Sequence, residues 1–128
     1  MASVRKHIRI DLPAEQVWQV VSDVSAIADW FPMIESSSAT SNIRTCTMAG
    51  GGELKEEIVT NDSGLRRLQY RITEGVPLEY HLATVDVLED RDGALVIYSA
   101  DVQPAEAADV MGPTFESGLE GLKAHLER

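Results

Sequence analysis

Five polar side chains fall in phase with apolar runs: Arg44, Glu56, Tyr70, His81 and Tyr98. Arg44 alternates with Cys46 and Met48, Glu56 with Leu54 and Ile58, and Tyr70 with Leu68 and Ile72. His81 keeps step with Ala83, Val85 and Val87, although Leu82 and Leu88 hold the opposite parity; Tyr98 keeps step with Val96, Ala100 and Val102. Residues two apart on a strand share a face, so these polar groups are expected to point inward with their apolar companions. An arginine and a glutamate on neighbouring strands either make a structural ion pair, costly to desolvate, or hold a ligand carbonyl or carboxylate and bind water for acid–base work. A buried carboxylate alone titrates upward, whereas an arginine beside it keeps it ionised. His81 has a base's intrinsic pKa. Tyr70 and Tyr98 read first as core aromatics with satisfied hydroxyls and second as acids.

Other chemistries lack their residues. The histidines His7, His81 and His125 are scattered, with no HxxxH, HxH or CxxC spacing, so neither a metal nor another cofactor is expected. The single cysteine, Cys46, excludes an internal disulfide and reads as a small buried hydrophobe. Gly50-Gly51-Gly52 lacks the lysine and helix of a phosphate loop and reads as a hairpin turn, with a flexible gate as the alternative. There is no GxSxG and no cysteine–histidine nucleophile pair. A net charge of −10 disfavours nucleic acid, whose binding depends on neutralising phosphates, and anionic membranes. No apolar run approaches ~18 residues, so no membrane insertion is expected. The first ten residues alternate like a strand instead of carrying an apolar leader, which makes a cytoplasmic location the expectation.

The elements that must position these groups are legible in outline. The 128 residues, 44% hydrophobic and 25% charged, suit one globular domain over 1–128. Pro13 suits a first helical turn, and Val17, Trp18, Val20 and Val21 form an apolar stripe behind it. Asp23 and Ser25 read as caps between that helix and a second one, Ser25 to Trp30, stopped by Pro32. Strands are expected at Val4–Leu12, Met33–Ala39, Asn42–Met48, Glu53–Asn61, Leu65–Thr73, Glu79–Leu88 and Ala94–Val102. Asp62-Ser63-Gly64 and the stretch Glu89 to Gly93 read as hairpin loops ending on a glycine suited to positive φ. From Glu106 to Arg128 the period becomes helical through Val110, Phe115, Leu119, Leu122 and Leu126, with a kink or a late start at Gly112-Pro113.

This order resembles the helix-grip superfamily (SRPBCC, START-like and Bet v 1-like domains), in its polyketide cyclase/dehydrase branch. The matching stretches are LPAEQVW at Leu12–Trp18, the spacing from Asp23 through Trp30 to Pro32, Arg44, LKEEI at Leu54–Ile58, RRLQYRI at Arg66–Ile72 and VIYSADVQP at Val96–Pro104. Many relatives carry tryptophan where Tyr98 stands, and the Gly50–Gly52 turn is looser than usual. The resemblance implies an α+β fold: a seven-stranded curved antiparallel sheet wrapped around a long C-terminal helix, with two short helices between strands 1 and 2. It also implies a cavity between sheet and helix, whose ligand-binding residues would be Trp30, Phe31, Met48, Leu54, Ile58, Ile72, Val85, Tyr98, Phe115 and Leu119. The expected occupant is a hydrophobic small molecule: a polyketide, an aromatic compound or a lipid-like one. The protein would then be a cyclase, aromatase or dehydratase, with Arg44 steadying an enolate and Glu56, Tyr70 or His81 moving the proton. The alternatives are a non-catalytic carrier or sensor, or a co-regulator that binds a protein. A monomer and a homodimer fit equally.

Overall fold

The computed structural model describes residues 1–128. Seven strands form one sheet: β1 (Ala2–Ile10), β2 (Ile34–Thr40), β3 (Ile43–Met48), β4 (Glu53–Asp62), β5 (Arg67–Glu74), β6 (Tyr80–Asp90) and β7 (Gly93–Gln103). Their order is β1-β7-β6-β5-β4-β3-β2 with every neighbour antiparallel, so β2 to β7 form a meander and β1 pairs with the last strand. Two register irregularities in the β4–β5 pair, at Lys55/Glu56 and Ile58/Thr60, bend the sheet at its middle. Helix α1 (Ala14–Ser22) packs on β6 and β7, and the C-terminal helix α2 (Ala108–Leu126) lies along β1 and β7.

Alternation sets what faces inward. In β6 every second residue from His81 to Val87 is buried, which resolves the parity of His81 in favour of the interior. On α2, Met111, Phe115, Leu119, Leu122 and Leu126 recur at spacings of three and four and turn to the core. Val110 does not belong to this stripe: it lies one position out of phase and is 70% exposed. The helix begins at Ala108, after a 3₁₀ turn at Ala105–Ala107, and continues through Pro113. Pro113 is close enough to the start that its missing N–H removes one ladder bond without ending the helix.

Local chemistry also redraws the second short helix and the hairpins. Val24–Asp29 is a 3₁₀ segment broken at Ala26. Ser37 competes for its backbone, accepting from the Ala28 N–H at 3.1 Å and donating to the Ser25 carbonyl at 2.8 Å. Asp23 separates this segment from α1, but its carboxylate accepts the Ser25 hydroxyl and caps no backbone N–H. Positive φ falls on Arg66 and Arg91, while Gly64 and Gly93 avoid it. Gly93 is needed for close approach instead. A Cβ there would sit 2.6 Å from the Arg9 guanidinium and 2.9 Å from the Ile10 carbonyl oxygen. No helix is long and apolar enough to cross a membrane.

Candidate functional site

The sheet register brings the five inward polar residues into adjacent rows. Arg44 is opposite Glu56, and Glu56 is opposite Ile72; Tyr70 is opposite Ala83, and Tyr98 opposite Val85. Arg44 Nε donates to Glu56 Oε1 at 2.7 Å, with both side chains almost wholly buried. Cys46 Sγ lies 3.7 Å from the same oxygen. Arg44 Nη1 donates to the Val24 carbonyl at 3.4 Å, and its guanidinium carbon sits 5.0 Å from the Tyr70 ring centre. Nη2 is buried and has no partner. Burial, the largest single influence on Arg44, would lower its pKa, but Glu56 together with Tyr70, Cys46 and Tyr98 outweighs it and the net shift is upward. Burial, reinforced by Glu56, pushes the Cys46 thiol up to about 12, so it is inert as a nucleophile near neutral pH.

The two tyrosines satisfy each other through a hydroxyl–hydroxyl hydrogen bond. Ala83 and Ala100 leave room on the sheet for their rings, and Tyr98 stacks on Phe115 with centres 3.9 Å apart. Burial raises both phenol pKa values well above the ordinary range. His81 does structural work of a less usual kind. The β5–β6 ladder stops at Tyr70–Ala83, and beyond it the Ile72 N–H donates to His81 Nδ1 at 3.0 Å. The imidazole thus replaces a strand carbonyl as acceptor, which places its one proton on Nε2. Burial, helped by the Arg71 charge, lowers its pKa to about 4, so it is neutral across the physiological range.

A pocket of about 80 Å³ opens between the 3₁₀ segment, α2 and the concave face of the sheet. Phe31, Met48, Leu54 and Ile72 line it, together with Glu56, Tyr70 and His81; Tyr98 and Phe115 close the far wall. Five expected site residues lie elsewhere. Arg44 contacts Glu56 and the Val24 carbonyl without reaching the pocket wall. Ile58, Val85 and Leu119 belong to the surrounding hydrophobic core, because their strand or helix rows pass beside the opening. Trp30 is packed in the hydrophobic core and borders a shallow surface groove beside Gly121 and His125, with its indole N–H buried and unpartnered. The sequence reading missed Ile27, Ile34, Met111 and Thr114, which complete the lining. Helical spacing back from Phe115 and Gly118 would have found Met111 and Thr114. Gly50–Gly52 forms a turn at positive φ and does not border the pocket, so no gate is placed there. The volume is well under the roughly 300 Å³ at which drug-sized ligand pockets begin. The protein's own side chains fill most of the hollow expected between sheet and helix.

The family model for polyketide cyclase / dehydrase and lipid transport matches residues 1–127. Among solved structures, the protein XoxI from Bacillus cereus is 26% identical, with a TM-score of 0.91 over 97% of this chain and 94% of that one. A START superfamily protein from Mycobacterium smegmatis is 17% identical, with a TM-score of 0.83 over 99% of this chain and 98% of its own. The major latex-like protein 151 from Panax ginseng is 14% identical, with a TM-score of 0.81 over 97% and 96%. No curated protein matches. The chain belongs to the polyketide cyclase / dehydrase and lipid transport family and has the helix-grip fold.

Proposed function

We propose that this protein binds a hydrophobic small molecule in the pocket between the sheet and α2. The observation that carries the reading is the pocket's composition: an apolar lining into which only Glu56, His81, the tyrosine pair and Thr114 bring polar atoms. Apolar walls with a few placed polar groups are the general character of small-molecule sites. The family's description, with its cyclisation, dehydration and lipid transport, supports the same reading. The pocket's present size implies that the ligand is small or that the walls yield. Met48 and Met111, both partly exposed, have the unbranched, adaptable side chains suited to yielding. Titration with a hydrophobic fluorescent dye tests the reading. Saturable binding, competed by small aromatic compounds and abolished by Leu54→Trp at the wall, is expected. A folded protein that shows no saturable binding would overturn it.

A second reading, a cyclase or dehydratase, is favoured by one observation: two proton-handling groups, Glu56 and His81, line the same pocket. On that reading the Tyr70–Tyr98 pair orients the substrate, because each hydroxyl is engaged by the other and neither ionises readily. Arg44 acts through Glu56, holding its carboxylate in place. Turnover of a polyketide-type substrate should then be lost in Glu56→Gln and in Arg44→Ala; retained rates in both would remove these residues from the chemistry.

A further inference from the structure

We infer that the pocket selects a neutral ligand bearing a hydroxyl group on a single-ring-sized apolar body, and that it rejects carboxylates. This rests on the binding reading above and names its ligand class. Three observations converge. First, no lysine or arginine lines the pocket, and the one buried guanidinium nearby is bonded to Glu56 and stands off the wall. A ligand carboxylate would meet the Glu56 carboxylate with no cation to receive it. Second, Glu56 uses only Oε1 toward the protein, accepting from Arg44 and Cys46. Oε2 is left as an acceptor on a residue of the wall. Third, the Ile72 N–H fixes the His81 tautomer, so Nε2–H is a donor without a protein partner on another residue of the wall.

The pocket therefore offers one acceptor and one donor on an otherwise apolar surface. A hydroxyl is the smallest neutral group that can both donate to Glu56 and accept from His81. A ketone or ether answers only His81, and a hydrocarbon leaves both unpaired. Sites that hydrogen-bond a substrate discriminate strongly against analogues lacking the group, because the buried protein atoms are then orphaned. The limited volume adds a size criterion: at about 80 Å³ the pocket is smaller than the roughly 150 Å³ cavity that takes benzene, so one ring already requires Met48 and Met111 to yield and a larger body requires more.

Calorimetric titration of the wild-type protein at pH 7.5 with 4-ethylphenol, 4-ethylanisole, ethylbenzene and 4-ethylbenzoate tests this without any variant. The phenol is expected to bind at least tenfold more tightly than the hydrocarbon and the ether, with the benzoate weakest. Backbone amide shifts at Leu54 and Ile72 should accompany phenol binding. In Glu56→Gln the phenol-over-ether preference should shrink while ethylbenzene binding is kept, which also reports that the pocket is intact. If the dye saturates but the hydrocarbon or ether binds as well as the phenol, or the benzoate binds best, the hydroxyl inference falls and the binding reading stands. If neither the dye nor any of the four binds, both fall.

Discussion

The pH dependence of stability isolates His81. In the folded protein its pKa is lowered to about 4 from an ordinary 6.5, first by burial and then by the Arg71 charge. A group that is cationic when protonated and whose folded pKa is depressed destabilises the fold as the pH falls, because the unfolded chain takes up the proton first. The loss begins near pH 6.5 and is complete near pH 4; below that both states are protonated and the contribution stays constant. A gap of about 2.5 units at ~1.4 kcal/mol per unit corresponds to about 3 kcal/mol between pH 7 and pH 4, roughly half of it lost by pH 5.5. Carboxylates elsewhere also titrate in this window, so the comparison must be differential. His81→Asn keeps an acceptor where Nδ1 meets the Ile72 N–H, yet cannot titrate. Urea unfolding at pH 7, 5.5 and 4 should show the wild type losing about 3 kcal/mol more than the variant, whatever constant penalty the smaller side chain carries. Parallel curves for the two proteins would refute the argument that a neutral imidazole is built into the β5–β6 junction.

Three further outcomes follow from packing and charge. Gly121→Ala should destabilise by about 2 kcal/mol or more, because its Cβ would collide with the Trp30 carbonyl and the Pro32 ring; thermal melting at unchanged Tm would contradict so close an approach. Arg44→Met should cost about 3–5 kcal/mol by leaving Glu56 buried and unpaired, whereas Arg44→Met with Glu56→Leu should recover most of the loss; denaturant titrations in which single and double variants are equally unstable would show that the pair itself is the stabilising element. Cys46 is fully buried with its thiol pushed up to about 12, so native labelling by a disulfide reagent at pH 8 should proceed only through opening, on the order of a thousandfold slower than in urea; rapid labelling would place the thiol at an accessible surface.

What the sequence disclosed was whatever depends on period. Inward parity in β3 to β7 follows from alternation, and it carried Arg44, Glu56, Tyr70, His81 and Tyr98 to one concave face before any contact was known. The pocket wall was less legible because it depends on distances between elements. Ile58 has the right parity but sits at the β4 irregularity beside Val59, where the strand bends away. Val85 and Leu119 point inward but are buried in the surrounding core and do not border the opening. A different reason keeps Trp30 from bordering the pocket. The Trp30 carbonyl and the Pro32 ring pass against Gly121, and Trp30 is packed in the core beside the surface groove, while Phe31 borders both the groove and the pocket. A glycine in a helix signals such an approach only once its neighbour is known.

The buried polar groups and the small pocket have one common cause. A fully apolar lining of this shape would close on itself, because nothing resists collapse of a narrow gap between sheet and helix. Here Glu56 is held by Arg44 and His81 by the Ile72 backbone, each from outside the gap, so neither can turn away to fill it. The tyrosine pair spans the floor and props Phe115 through stacking. The groups that give the pocket its hydrogen-bonding character are thereby the same ones that keep it open. Removing the Tyr70 hydroxyl with Phe should loosen the floor and leave Tyr98 seeking another partner, and the pocket's affinity for any hydrophobic probe should change before the fold does. A Tyr70→Phe protein with unaltered dye affinity and unaltered stability would separate the two roles that the geometry joins.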